Sequence, residues 1–177
     1  MNTHLSLSPQ ALTPEAFAPY GWMLGKGLAH APAAAAFSNA ATDFWREHAF
    51  DTGAGGQTEV LWVNYRIQDP QITALENHLL TEQALVPLTG EVIHVVAASD
   101  AQGGPDLSSL KAFVLKPGEG VCMKPGCWHS SRVRGGEVAC LMLTRVSTTL
   151  DLVSHLTQTA PATESEIRAI APVTVVL

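Results

Sequence analysis

The chain has 177 residues, of which 16 are acidic and 10 basic, for a formal charge of −6, and 46% are hydrophobic. That length fits one domain. The 15% of charged residues form no Lys/Arg patch, which argues against a nucleic-acid partner, and no apolar run nears the roughly 20 residues of a bilayer span.

At the N-terminus, Met1–Pro9 shows no basic segment followed by an apolar core, so no secretory leader is read there. Three cysteines, an odd number, argue against a disulfide framework and fit a cytoplasmic protein with reduced thiols. Leu12–Phe17 reads as a helix start, with Thr13 as cap, Pro14 where no donor is needed and Glu15 complementing the dipole; Pro19 and Gly21 end it. His30–Ala41 is Ala-rich without a helical stripe, and Asp51–Gln57 is Gly-rich, so both read as loops around Phe44-Trp45. Leu61–Ile67 alternates and reads as a strand. Further short strands are predicted at Ala84–Pro87, Glu91–Ala97, Ala112–Leu115, Gly120–Met123 and Ala139–Thr144, each bounded by turn residues, which indicates a β-sandwich or barrel. Leu150–Leu156 fits a short helix or a strand, and Thr163–Ile167 could begin a last helix.

Chemistry concentrates in two segments. Glu76 and His78, two residues apart, share one face of a strand and can jointly hold a metal or a small polar ligand; Gln83 and Gly90 follow. In the second segment, Pro125-Gly126 makes a turn and His129 enters the next strand. Cys122, Cys127 and His129 also admit a zinc reading, although no fourth ligand is evident. His94, among Val92, Ile93, Val95 and Val96, reads as a hydrogen-bonded barrel residue; His4, His30, His48 and His155 have no recognisable partners.

Together the two segments resemble the signature motifs of the cupin superfamily, with Glu76, His78, Gln83 and His129 at the ligand positions and Gly90 at the glycine of the first motif. A narrower resemblance is to the ureidoglycolate lyase family. It is carried by Leu12–Gly21, Leu75–His78, Gln83–Val92, Pro105–Phe113, Gly120-Val121 and Trp128-His129. Where that family commonly has Tyr-His before the turn, this chain has Met123-Lys124, and where it has His-His-Pro after the Trp, it has His129-Ser130-Ser131.

The resemblance implies a mainly β, cupin-type double-stranded β-barrel (jelly roll): residues 1–57 as an N-terminal helix and irregular arm, 58–147 as barrel core and 148–177 as a C-terminal segment of one domain. It implies a homodimeric carbon–nitrogen lyase that cleaves ureidoglycolate to glyoxylate and urea in purine catabolism. His78, His129, Glu76 and Lys124 are the expected catalytic groups, and Arg66, Gln83 and Trp128 the expected substrate contacts. A divalent metal ion, Ni, Mn or Zn, is expected on Glu76, His78, Gln83 and His129. The alternatives are an enzyme of the same fold acting on another small hydroxy or amido acid, and a small-acid-binding protein without catalysis.

Overall fold

The computed structural model describes Leu5–Leu177; Met1–His4, which include His4 and the start of the leader reading, lie outside the described residues. In chain order the strands are β1 (Leu5–Leu7), β2 (Gln10–Ala11), β3 (Gly21–Leu24), β4 (Ala36–Ser38), β5 (Asp43–Trp45), β6 (Thr58–Tyr65), β7 (Gln71–His78), β8 (Gln83–Pro87), β9 (Val92–Ala97), β10 (Lys111–Leu115), β11 (Gly120–Met123), β12 (Trp128–Arg132), β13 (Val138–Arg145) and β14 (Ser165–Val175). Helix α1 (Pro14–Phe17) precedes β3, and α2 (Val146–Gln158) lies between β13 and β14. Among the described residues, no helix is long and apolar enough to cross a membrane.

Two sheets carry the architecture. One runs β1-β14-β7-β12-β9-β10-β2 and the other β3-β11-β8-β13-β6. Of the eight strands from β6 to β13, β7-β12-β9-β10 lie in one sheet and β6-β13-β8-β11 in the other, the strand order of a jelly roll. The remaining strands extend the sheet edges or, in β4 and β5, form a separate hairpin.

Alternation sorts the side chains into two apolar clusters. Val92 and Val96 join Leu85, Phe113, Val121, Met123 and Cys140 between the sheets. The intervening Ile93, Val95 and Ala97 join Leu75, Trp128 and Val173 on the opposite face of the seven-stranded sheet. Because both faces of β9 are covered, its six residues are all buried.

Local signals explain the ends of several elements. Thr13 Oγ1 accepts from the Ala16 amide at 3.2 Å and caps α1. Gly126, at φ +79°, occupies the turn position that needs a left-handed backbone, with the Cys127 amide bonded to the Lys124 carbonyl at 3.1 Å. The Gly126 amide also donates to the His78 carbonyl at 2.8 Å, tying the turn before β12 to the end of β7.

Two segments differ from the expectation, and a third takes one of the two forms open to it. The stretch read as loops around Phe44-Trp45 contains the β4–β5 hairpin and two short 3-10 turns, Leu28–His30 and Ala33–Ala35. Leu150–Leu156 is helical, inside α2, whereas Ser165–Val175 is a strand paired with β7. Thr163, the first residue of the expected last helix, donates its amide and hydroxyl to Asp151 of α2, so tertiary pairing takes the groups a helix start would need.

Candidate active site

Glu76 and His78 project from β7 toward the space between the sheets, and His129 reaches it from β12, where it lies directly opposite Glu76 in the strand register. The three offer ligand atoms that all lie within 4.8 Å of one another. Gln83, the first residue of β8 on the facing sheet, closes the group: its Nε2 lies 2.8 Å from His78 Nε2. Four of the residues singled out by motif spacing are thus brought together by three strands.

Each imidazole is oriented by a second bond. His129 Nδ1 lies 3.1 Å from the Cys127 carbonyl, which can only accept, so Nδ1 carries the proton and Nε2 turns to Glu76 Oε1 at 3.4 Å. His78 Nδ1 lies 3.0 Å from Ser165 Oγ of β14. With Gln83 donating to Nε2, His78 Nδ1–H donates to Ser165. Behind this pair, His94 is fully buried, with Nδ1 3.0 Å from Ser131 Oγ and Nε2 3.2 Å from Met123 Sδ.

The electrostatics follow from this packing. Burial alone would raise the Glu76 carboxyl, but its hydrogen bond to His129 and the nearby imidazoles outweigh burial and hold it at about 2. Burial, then repulsion from His129, lowers His78 to about 4 against the attraction of Glu76. The same causes lower His94 to about 3. At neutral pH the site therefore holds an ionised carboxylate beside neutral His78 and His94.

Two adjoining cavities meet at Glu76 and Tyr65. The larger, about 290 Å³, lies under α2 and reaches His78, Gln83 and Thr144. The other, about 240 Å³, is bounded by His129, Ser130 and Ser131. Thr144 Oγ1 is buried without a hydrogen-bond partner, and Thr144 is one of the residues that line the larger cavity. Tyr65, Thr144 and Ser165 carry no motif; only the inward phase of β6 and β13 could have pointed to the first two.

Three expected contacts do not join this cluster. Arg66 follows β6 on the surface, where it is exposed and ion-paired with Glu137. Lys124 donates to the Ala18 carbonyl at 2.9 Å and sits 5.5 Å from the Trp22 ring centre. Trp128 immediately precedes inward-facing His129, so alternation sends it to the opposite face of its sheet; there it is fully buried and donates to Ser99 Oγ and the Gly103 carbonyl, each at 3.2 Å. Among the described residues, no Lys or Arg lines either cavity. Cys122, Cys127 and His129 do not converge as a zinc set: phase sends Cys122 to the opposite face, toward Glu82 at 3.6 Å, and Cys127, on the inner side, turns its thiol to the Trp128 carbonyl.

One carboxylate, two imidazoles and an amide form a nitrogen–oxygen donor set suited to a borderline divalent ion. The hydrogen bonds on both Nδ1 atoms are the outer contacts that commonly orient imidazole ligands.

A family model described as ureidoglycolate lyase matches residues 4–163. A ureidoglycolate lyase of Brucella ovis is 33% identical over 128 residues, covering 70% of this chain and 73% of that protein. A protein of the same name from Burkholderia mallei is 32% identical over 135 residues, covering 76% of this chain and 78% of its own length. Among solved structures, a dTDP sugar isomerase from Desulfovibrio desulfuricans G20 aligns with a TM-score of 0.41 at 13% identity, covering 62% of this chain and 71% of that one.

Proposed function

Since the chain belongs to the ureidoglycolate lyase family, we propose that it is a carbon–nitrogen lyase whose inter-sheet cavity cleaves ureidoglycolate to glyoxylate and urea. The observation that carries this reading is the convergence of Glu76, His78 and His129, with ligand atoms within 4.8 Å of one another, beside a cavity sized for a small acid.

The substrate is a carbinolamide, so its carbonyl forms when the hydroxyl loses a proton and the urea nitrogen leaves with one. His78, held neutral by burial, is the base. Its Nε2 is approached by the Gln83 amide, which passes that hydrogen bond to the substrate and frees the nitrogen to accept the hydroxyl proton. The electrons of the O–H bond become the new carbonyl π bond, and those of the C–N bond pass to urea nitrogen. His129 in its protonated form, steadied by ionised Glu76 at 3.4 Å, delivers the proton that nitrogen needs. Exchange with solvent then returns one proton to His129 and removes one from His78. Thr144 supplies a hydrogen bond to the substrate carboxylate.

As an alternative role for the same side chains, Glu76, His78, Gln83 and His129 would hold a divalent ion, Ni, Mn or Zn, whose positive charge would polarise the hydroxyl and offset the substrate's carboxylate; both imidazoles then serve as ligands through Nε2 in place of base and acid. We also read the enzyme as a cytoplasmic homodimer of purine nitrogen catabolism. The exposed apolar Val60 and Trp62 on edge strand β6 support self-association.

The test is a product balance on ureidoglycolate. Lyase action yields glyoxylate and urea in equal amounts without ammonia; ammonia in place of urea would assign the protein to hydrolysis of the ureido group instead.

A further inference from the structure

The phase that turns Gln83 and Met123 inward turns their neighbours Glu82 and Cys122 outward, onto the other face of the five-stranded sheet. There Cys122 pairs in register with Ala84 of β8 and Trp22 of β3. His48, from the arm between β5 and β6, lies flat on Trp22, with ring centres 4.2 Å apart and an interplanar angle of 24°. His48 Nε2 is 2.9 Å from Glu82 Oε2, and Cys122 Sγ is 3.6 Å from that same oxygen. One ligand atom from each of the three residues falls within 4.8 Å of the others.

Glu82 is only 6% exposed. Among the described residues, His48 is the one cation-forming side chain within ion-pair distance of it. Its other close contacts are the Asp51 amide, donating at 2.9 Å, and the Cys122 thiol. Buried carboxylates are normally paired with full positive charge or bound to a metal. Beside the group is a cavity of about 300 Å³ lined by His48, Cys122 and Glu47. Glu47 Oε2 is buried there without any hydrogen-bond partner. A buried carboxylate whose one cation-forming partner is a histidine thus lies beside a cavity that also holds a carboxylate oxygen with no partner.

We infer that His48, Glu82 and Cys122 form a second metal site, separate from the inter-sheet cluster, for a thiophilic divalent cation of the Zn²⁺ class. Metal–ligand distances of about 2.0–2.3 Å place tetrahedral ligand atoms about 3.3–3.7 Å apart. The pair distances of 2.9 and 3.6 Å around Glu82 Oε2 reach that spacing with shifts of a few tenths of an ångström. Mixed sulfur, nitrogen and oxygen ligation favours Zn²⁺ or Co²⁺ over Mg²⁺ or Ca²⁺, which take oxygen donors. Cys122 ligates as the thiolate and its proton passes to solvent. A fourth, water ligand would come from the cavity that His48, Cys122 and Glu47 line. Because the ligands come from the arm, the start of β8 and β11, the ion pins the arm to the barrel.

Co²⁺ added to metal-stripped, reduced protein tests this, because a thiolate-to-Co²⁺ absorption band requires a cysteine ligand and the inter-sheet cluster has none. The expected result is a band that saturates with one Co²⁺ per chain. It persists in His78→Ala, is absent in Cys122→Ser, and needs at least tenfold more Co²⁺ in His48→Gln, an arm substitution outside the buried core. Absence of the band in wild-type protein would overturn the site, as would a band undiminished in Cys122→Ser or unshifted in His48→Gln.

Discussion

Thr144 separates binding from folding. Its hydroxyl has no protein partner despite being buried, so Thr144→Val removes no internal hydrogen bond and is expected to leave the melting temperature unchanged or slightly higher. If the hydroxyl binds the substrate carboxylate, KM rises about tenfold, the loss of one hydrogen bond worth about 1.4 kcal/mol; a lower melting temperature with unchanged KM would assign Thr144 a packing role instead. The histidines make a prediction about pH. His94 titrates at about 3 in the fold but near 6.5 when unfolded. Above 6.5 neither state binds the proton. Below it the unfolded chain takes one that the native chain refuses, so stability falls as pH drops from 6.5 toward 3. The fall is about 1.4 kcal/mol per pH unit for this group, and His78, lowered to about 4, adds to it down to that pH. Urea unfolding should therefore show a loss of about 5 kcal/mol between pH 7.5 and 4.5, about half from each histidine, and His94→Gln should remove about half of the difference. Of these residues, Glu76, His78, Gln83 and His129 were legible because the spacing of a known motif fixes strand phase. Arg66 and Lys124 were not, because charge alone does not say which face a side chain takes.

Helix α2 is the element on which the cavity depends, since Thr148, Thr149 and Leu152 form its roof. It is held from β14's approach: Ser147 and Thr148 donate to Glu164 Oε2 at 3.0 and 2.6 Å, and Thr163 and Glu164 donate backbone amides to Asp151. A carboxylate against the first turn of the helix also complements its dipole. Glu164→Ala is expected to cost about 1.5–3 kcal/mol, as hydrogen bonds to a charged group do, measured by denaturant unfolding. It should also raise KM by loosening the roof, and an unchanged KM would remove α2 from the binding site. The same contacts explain what was hard to read in the sequence. The strands at β6, β8, β9, β10, β11 and β13 announce themselves by alternation or by short apolar runs between turns. Strand β7 does not: Ile72 and Leu75, three residues apart, both enter the outer cluster, and the register of its partner β14 shifts between Ala169 and Val173, so no period of two survives. The helix-like start at Thr163 was misleading because Asp151, twelve residues earlier, takes its donors.

At the scale of the molecule, the jelly-roll order puts β7 and β12 side by side and β8 across from them, which is why residues 76, 78, 83 and 129 meet although the chain separates them widely. The barrel class was legible from the number and spacing of short strands. The pairing of β14 with β7, which brings Ser165 to His78, was not, because it joins segments some 90 residues apart and leaves no local trace. The fold thus delivers Glu76, His78 and His129 to one small cavity, and the most direct measurement of their proposed roles as base and acid is steady-state glyoxylate release from ureidoglycolate by wild-type protein beside His78→Ala and His129→Ala, each shown by circular dichroism to be folded. Robust release by wild type and a fall in kcat of about 10²-fold or more in each variant, the range for loss of a general acid or base, is the predicted result. Near-normal kcat in either folded variant, or no release by wild type, would contradict it.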